Sequence, residues 1–202
     1  MAIRAVFFDF GGVIMRTEYQ LPRQKLAERF NMDYDEMDRA VFGSDSARRA
    51  SLGEITEDAH WSAVMKRFKQ PASEMQAFRN NFFGGDVIDH NLVEYIRSLR
   101  GKKFHTGLIS NAWSGLREFI TKEKLIDLFD TATISAEVGA VKPSAKIYEV
   151  ALDQAKVGAS EAVFVDDVQI NIEACEKVGM KGILFNDPEK SLSRLNQLLK
   201  IK

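Results

Sequence analysis

Acidic side chains follow two strongly apolar segments of this sequence. Asp9 comes directly after residues 6–8, and Asp166 and Asp167 come directly after residues 163–165. A carboxylate at the end of a buried segment is costly unless it faces a cleft and has partners there. Asp9 is therefore a candidate nucleophile, and the acidic pair is a candidate site for a cation.

Two further segments offer groups that bind anions. Ser110 and Asn111 follow the apolar residues 108–109, and their hydroxyl and amide suit hydrogen bonding to an oxyanion. Lys142 lies in a loop just before Pro143, and its ammonium could reach a carboxylate or a phosphoryl oxygen. These groups indicate chemistry on a negatively charged substrate.

The charges of these segments do not balance. Asp9, Asp166 and Asp167 would raise one another's pKa if they met in one cleft, and Lys142 offsets only one of them. A hard divalent cation would neutralise the rest, and Mg²⁺ prefers one or two protein carboxylates together with phosphate oxygens. The residues thus predict a site for a phosphate group on Mg²⁺.

The elements that must position these residues are short apolar segments that alternate with amphipathic stretches. Segments typical of strands buried on both faces are residues 3–8, 104–109, 131–135, 162–165 and 182–185. Apolar residues recur at helical spacing in 91–100 and 146–155. This pattern predicts an α/β fold with a Rossmann-like parallel sheet flanked by helices, whose strand ends meet at one crevice.

The stretch from 16 to 86 breaks this alternation, because it offers several helical patterns and no convincing strand. We predict a small inserted helical cap over 16–86 and a core formed by 1–15 and 87–202. Glycines at 11–12 and 84–85 bracket the insert and would let it pivot. The alternative is that these helices pack on the sheet as a fixed subdomain.

Composition excludes several classes of function. The 202 residues include 28 basic and 29 acidic side chains, for a net charge of −1. Nucleic-acid binding requires a clustered positive excess, so we expect no nucleic-acid partner. No segment reaches the ~18 apolar residues that span a bilayer, so we expect no membrane partner. We expect a cytoplasmic protein that is a monomer or a weak homodimer.

The sulfur and imidazole groups do not suggest a metal centre. Cys175 is the single cysteine, which excludes an internal disulfide, and we expect it to be a buried small hydrophobe. His60, His90 and His105 lack metal-ligand spacing and are expected to be surface or structural residues.

The four segments, in this order and spacing, resemble the haloacid dehalogenase (HAD) superfamily of hydrolases over essentially the whole chain. The resemblance implies a HAD-like fold in which Asp9 attacks phosphorus to form an aspartyl-phosphate, while Ser110 and Lys142 hold the phosphoryl group. Asn111 matches the residue after the family's second motif. Trp113 lies close to the predicted crevice, and with Asn111 it is expected to line the substrate pocket.

The resemblance also implies how Mg²⁺ would be held. Asp167 would be the most direct ligand of the acidic pair, with Asp166 beside it and the Gly11 carbonyl and Asp9 as further ligands. The insert is similar to the small cap of the branch that contains bacterial sugar-phosphate phosphatases and the N-terminal phosphatase domain of soluble epoxide hydrolases. A Mg²⁺-dependent phosphatase acting on a small monoester, such as a sugar phosphate, is the function this resemblance implies.

Gly11 departs from the family pattern. Family phosphatases usually carry a second Asp there, which protonates the leaving oxygen and later activates water. Loss of a positioned acid–base group typically costs about 10²- to 10⁴-fold in rate. The substrate could have a good leaving group, such as an anomeric or acyl phosphate; a cap residue such as Glu18 could substitute; or turnover could be slow.

Two other functions stay open. In a 2-haloacid dehalogenase, Asp9 would attack carbon and expel halide without metal, but two more carboxylates at 166 and 167 give no advantage with an anionic haloacid. A catalytically weak binding or regulatory protein of the same fold is favoured by Gly11 alone.

Overall fold

The computed structural model describes residues 2–201. Its strands are β1 (Ala5–Phe8), β2 (Met15–Thr17), β3 (Asp86–Ile88), β4 (His105–Ser110), β5 (Thr131–Ile134), β6 (Ala162–Asp166) and β7 (Lys181–Leu184). Its α-helices are α1 (Leu21–Glu28), α2 (Tyr34–Phe42), α3 (Asp45–Ser51), α4 (Glu57–Arg67), α5 (Met75–Phe82), α6 (His90–Gly101), α7 (Leu116–Lys122), α8 (Ser135–Val138), α9 (Ala145–Ala155), α10 (Gln169–Val178) and α11 (Pro188–Leu199).

The central sheet is parallel and has the strand order β5-β4-β1-β6-β7. The chain leaves β1 for β4 and β5 on one side and then crosses to β6 and β7 on the other. Strand order therefore reverses between β1 and β6, the place where ligands bind in open α/β sheets. The predicted Rossmann-like sheet is confirmed, and its five strands lie within two residues of the predicted ends.

Alternate residues of β1 enter different hydrophobic cores, because successive side chains of a strand point to opposite faces. Val6 and Phe8 pack with residues of α6 and α11, whereas Ala5 and Phe7 pack with residues of α9 and α10. All four are fully buried. Burial on both faces explains why these strands are continuous apolar runs in the sequence.

Helices α1 to α5 form an insert between β2 and β3, and their apolar side chains form a third hydrophobic cluster that also includes Trp113 of the core. Asp33 and Glu36 form a capping box at the start of α2, and the Thr56 hydroxyl accepts a hydrogen bond from Ala59 N at the start of α4. Such caps satisfy backbone groups that the first helical turn leaves unpaired. They explain why short helices with small apolar faces form at these positions.

The prediction that 16–86 contains no strand is wrong at its two ends. Strands β2 and β3 pair antiparallel, with Arg16 opposite Val87 and Thr17 opposite Asp86. Each strand is three residues long and half-buried, so neither shows the alternation or apolar run by which strands are recognised. Their pairing joins the two connections between insert and core.

The pivot at residues 84–85 stays a prediction. A Cβ built on Gly85 would lie 1.7 Å from the Tyr19 carbonyl oxygen, so glycine there permits close backbone packing. Across the described residues, the helices are too short or too polar for any of them to cross a membrane.

Candidate active site

A buried ammonium joins two carboxylates at the carboxyl end of the sheet. Lys142 Nζ lies 2.7 Å from Asp9 Oδ2 and 2.7 Å from Asp166 Oδ2. Asp9 follows β1 and Asp166 ends β6, which are adjacent strands with Phe8 opposite Val165. The Lys142 side chain is 1% exposed and that of Asp166 is fully buried. Moving any one of the three groups away would leave a buried charge without its partner, which is energetically costly. The ion pairs therefore keep the three side chains together.

Asp166 is engaged on both oxygens. Its Oδ1 accepts hydrogen bonds from Val168 N and Asn171 Nδ2, and its Oδ2 accepts from Lys142 Nζ and Asn171 Nδ2. Asn171 is buried on the first turns of α10. The sequence signal for it is a polar residue on the inner face of an amphipathic helix, five positions after Asp166. Asp166 and Asn171 therefore orient Lys142.

Asp167 is exposed, unlike its neighbour. Its carboxylate, that of Asp9 and that of Asp166 each offer an oxygen, and these oxygens lie within 4.8 Å of one another. Gly12 makes room for this arrangement: its φ is +77°, and a Cβ there would lie 2.1 Å from Asp167 Oδ2. The donors are all hard carboxylate oxygens beside one ammonium, and this set fits Mg²⁺.

Burial raises the pKa of Asp9 to about 6, and the negative charge of Asp166 adds to this effect while Lys142 opposes it. Burial and Asp166 also raise the pKa of Asp167. Both shifts have the direction expected of a carboxylate cluster with too little positive charge. A bound cation would lower both pKa values.

The loop after β4 supports Lys142 from the other side. Ser110 ends β4, is buried, and its hydroxyl has no hydrogen-bond partner within residues 2–201. The Asn111 Nδ2 donates to the Lys142 carbonyl at 3.0 Å, and Lys142 N donates to Asn111 Oδ1 at 2.7 Å. The amide of Asn111 thus holds the Lys142 backbone. Substrate binding by Asn111 stays a prediction.

Gly11 and Trp113 lie outside the buried cluster of Lys142 and its two carboxylates. A Cβ built on Gly11 would meet no heavy atom of the described chain within 4 Å, so the position faces open space beside Asp9. Trp113 is buried against rings of the insert, and its contact with substrate stays a prediction. Glu18 pairs with Arg16 at 3.5 Å on the connection into the insert.

The expectations for the other singled-out side chains agree with the structure. Cys175 is fully buried, and burial raises the pKa of its thiol to about 12, which excludes a reactive thiolate. His60 is fully buried in the insert, where burial lowers its pKa to about 4. Its Nδ1 lies 2.9 Å from Ser46 Oγ.

Residues 6–185 match the family described as haloacid dehalogenase-like hydrolase. Bifunctional epoxide hydrolase 2 of Sus scrofa is 28% identical over 98% of this chain, which spans 39% of that protein's length. The sesquiterpene phosphatase astK of Aspergillus oryzae is 26% identical over 97% of this chain and 96% of its own. The D-ribitol-5-phosphate phosphatase of Bacteroides thetaiotaomicron is 26% identical over 89% of this chain and 90% of its own.

Solved structures share the fold. A HAD family enzyme from Bacteroides thetaiotaomicron superposes with a TM-score of 0.80 at 18% identity, covering 96% of this chain and 100% of that one. The same enzyme in complex with magnesium and inorganic phosphate has a TM-score of 0.77 at 18% identity, covering 91% and 94%. The match of 180 residues to one family model, the order of the strands and the motifs at their ends agree. The chain belongs to the haloacid dehalogenase-like hydrolases.

Proposed function

We propose that this hydrolase is a phosphatase that cleaves a small phosphate monoester through a covalent intermediate on Asp9. The observation that carries the proposal is the buried Lys142 ammonium between Asp9 and Asp166, with the exposed carboxylate of Asp167 beside them. The carboxylate and the ammonium lie where the strand order reverses between β1 and β6, and the neighbouring carboxylates are our proposed site for a second cation. Those are the groups that phosphoryl transfer needs.

In the proposed first step, a carboxylate oxygen of Asp9 attacks phosphorus, and the bond from phosphorus to the ester oxygen breaks. The alcohol leaves with a proton taken from solvent or substrate, because position 11 holds no acid. In the second step, water hydrolyses the acyl phosphate, which restores the Asp9 carboxylate and releases phosphate. Lys142 and the free Ser110 hydroxyl stabilise the phosphoryl oxygens in both steps.

We propose that Asp9, Asp167 and the Gly11 carbonyl hold Mg²⁺, with Asp166 adjacent. Asp166 contributes its charge and the orientation of Lys142, since both of its oxygens already accept hydrogen bonds. When bound, Mg²⁺ supplies the positive charge that lets an anionic nucleophile approach an anionic phosphate.

We further propose that residues 16–86 act as a cap over this site. The insert packs around a hydrophobic cluster that also takes in Trp113 of the core, and it joins the core through the paired strands β2 and β3. A cap of this kind would exclude water and choose the substrate. Trp113 and Asn111, on the loop under the insert, are the proposed pocket residues.

A sugar phosphate is the substrate class we propose for the first assays. The D-ribitol-5-phosphate phosphatase relative supports it, and sesquiterpene phosphates are the comparison class because of the astK relative. Both classes contain phosphate monoesters, so they test one mechanism with substrates of different polarity.

The experiment is a panel of sugar phosphates and terpenyl phosphates, assayed for released phosphate with Mg²⁺ and with EDTA. Asp9→Asn tests the nucleophile, and Asp127→Asn is the matched control, because the side chain of Asp127 is 63% exposed and lies 3.8 Å from Arg97 of α6, outside the proposed site. We expect phosphate release that requires both Mg²⁺ and Asp9. Release that survives both EDTA and Asp9→Asn would exclude this mechanism, and metal-free halide release from a 2-chloroacid would favour dehalogenation.

A further inference from the structure

A short segment of the insert, residues 52–57, lies against two parts of the core, α8 with the residues that follow it and the loop after β4. At one end, Gly53 has φ +73°, and a Cβ on it would lie 2.1 Å from the Ala136 carbonyl oxygen. A Cβ built on Gly139 would lie 3.9 Å from the Leu52 carbonyl oxygen. Ala136 and Gly139 belong to the stretch that leads into Lys142. The segment therefore packs backbone against backbone on the Lys142 loop.

At the other end of this segment, Glu57 contacts the loop that follows β4. Its Oε2 accepts a hydrogen bond from Gly115 N at 3.0 Å, and its Oε1 accepts from Trp61 Nε1 at 3.2 Å and Arg79 Nη2 at 2.5 Å. Its backbone N lies 3.3 Å from Ser114 Oγ. The Glu57 side chain is only 15% exposed. One carboxylate thus links two helices of the insert to a backbone amide of the core.

An aromatic contact holds the same core loop to the insert. The ring of Trp113 lies 4.3 Å from His60, 5.5 Å from Phe42 and 5.7 Å from Trp61, measured between ring centroids. All three partners belong to α2 or α4 of the insert. Residues 111–115 are therefore fixed to the insert by a charged hydrogen bond and by an aromatic cluster.

The same loop holds the phosphoryl-binding lysine. Asn111 makes two hydrogen bonds with the Lys142 backbone, at 2.7 and 3.0 Å. Ala112 N donates to Ser135 Oγ at 3.0 Å, and that hydroxyl donates to the Ala112 carbonyl at 3.1 Å. A continuous set of contacts therefore runs from Glu57 through residues 111–115 to Lys142.

We propose that Glu57 is a positioning residue that couples docking of the insert to the arrangement of the phosphoryl-binding groups. By accepting the Gly115 N–H, it holds residues 111–115, and these hold Lys142 and the end of β4 with Ser110. The inference rests on the proposed phosphatase function. The competing explanation is that Glu57 only stabilises the insert through its ion pair with Arg79.

Two substitutions separate these explanations. Glu57→Gln keeps an oxygen acceptor for Gly115 N–H but loses the ion pair with Arg79, whereas Glu57→Ala loses both. Glu28→Ala is the matched control, since Glu28 is an exposed glutamate at the end of α1 in the same insert. The substrate is 4-nitrophenyl phosphate with Mg²⁺, whose leaving group needs little protonation.

We expect Glu57→Ala to lower kcat by about 10- to 100-fold, the effect of losing a hydrogen bond to a charged group, with a smaller change in KM. Glu57→Gln should retain most of kcat although its melting temperature falls. Hydrogen exchange of the Gly115 amide should be slow in wild type and Glu57→Gln and at least tenfold faster in Glu57→Ala. Tryptophan emission reports docking independently, because both tryptophans of the chain, Trp61 and Trp113, lie at this contact.

Several results would overturn the proposal. Equal Gly115 exchange in wild type and Glu57→Ala would refute the contact, and faster exchange with unchanged kcat would refute positioning. If kcat falls in proportion to the melting temperature in both Glu57→Ala and Glu57→Gln, Glu57 has only a structural role. If Glu57→Ala does not fold, Gly115→Ala replaces it, because a Cβ there would lie 2.2 Å from Glu57 Oε2 and displace the carboxylate. A wild type without Asp9-dependent phosphate release would overturn the proposed function, whereas Gly115 exchange would still test the contact.

Discussion

Replacing Gly11 with Asp should supply an acid–base group at a position of the proposed active site that holds none. A Cβ at this position meets no heavy atom of residues 2–201 within 4 Å, and Gly11 is not among the glycines with positive φ. The substitution should therefore be accommodated with little loss of stability. At the neighbouring Gly12 the same change would be disruptive, because φ is +77° and a Cβ would lie 2.1 Å from Asp167.

A positioned general acid is worth about 10²- to 10⁴-fold in rate, which corresponds to about 3–5 kcal/mol of barrier at 1.36 kcal/mol per tenfold. The new carboxyl group would stand near Asp9 and Asp167, whose pKa values burial and the charge of Asp166 already raise. A raised pKa keeps the new group protonated and able to donate. We expect a gain near the lower limit, about 100-fold in kcat/KM on a sugar phosphate.

The assay compares substituted phenyl phosphates whose leaving groups differ in pKa. In the wild type, the rate should depend steeply on leaving-group pKa, since no acid at position 11 stands ready to protonate the departing oxygen as its bond to phosphorus breaks. In Gly11→Asp the dependence should flatten, and the gain should vanish for the best leaving group. Gly11→Asn is the control with the same shape and no acidic proton. A folded Gly11→Asp protein with an unchanged slope and an unchanged or lower rate would refute the missing-acid explanation.

Three further predictions concern stability and reactivity. Burial lowers the pKa of His60 from 6.5 to about 4, so the unfolded chain binds the extra proton as pH falls through this range. In urea unfolding, the free energy of unfolding of the wild type should fall by up to ~3 kcal/mol more than that of His60→Gln as the pH is lowered from 6.5 to 4. A difference between the two proteins that does not change with pH would contradict this reasoning. Asp166→Asn should lower the free energy of unfolding by about 3 kcal/mol because Lys142 loses a buried partner, whereas Asp45→Asn, at an exposed ion pair, should change it little. Cys175 should react with a thiol reagent only as fast as the protein unfolds; rapid labelling of the native protein would show that its burial is not maintained in solution.

Most of the fold was predictable because a parallel sheet covered by helices on both faces requires continuous apolar strands. Such runs are visible locally, as in residues 162–165, and so are the polar residues that end them. Strands β2 and β3 were not visible, because three half-buried residues carry no pattern and their pairing joins positions about 70 residues apart. Pairing of that kind depends on the packed insert.

The candidate site was likewise predictable only in part from the sequence. Asp9 and the acidic pair were predictable as residue types at strand ends, and Lys142 as a loop lysine before a proline. The resemblance had set Asp167 apart as the more direct metal ligand, but the burial of Asp166 against Lys142 was not predictable, because it depends on how the packed chain directs two successive side chains. One of them lies fully buried against Lys142, and the other is exposed.

The sequence by itself determined the order of the strands' apolar segments, the family and the chemical groups at the crevice, because these depend on residue type and local spacing. Tertiary structure alone decided which groups meet. The Asn111 side chain hydrogen bonds to the Lys142 backbone, and Glu57 accepts a hydrogen bond from Gly115 N, 58 residues away in the sequence. Such contacts form between segments that are distant in the sequence. Those segments come within hydrogen-bonding distance only after the sheet and the insert have packed together.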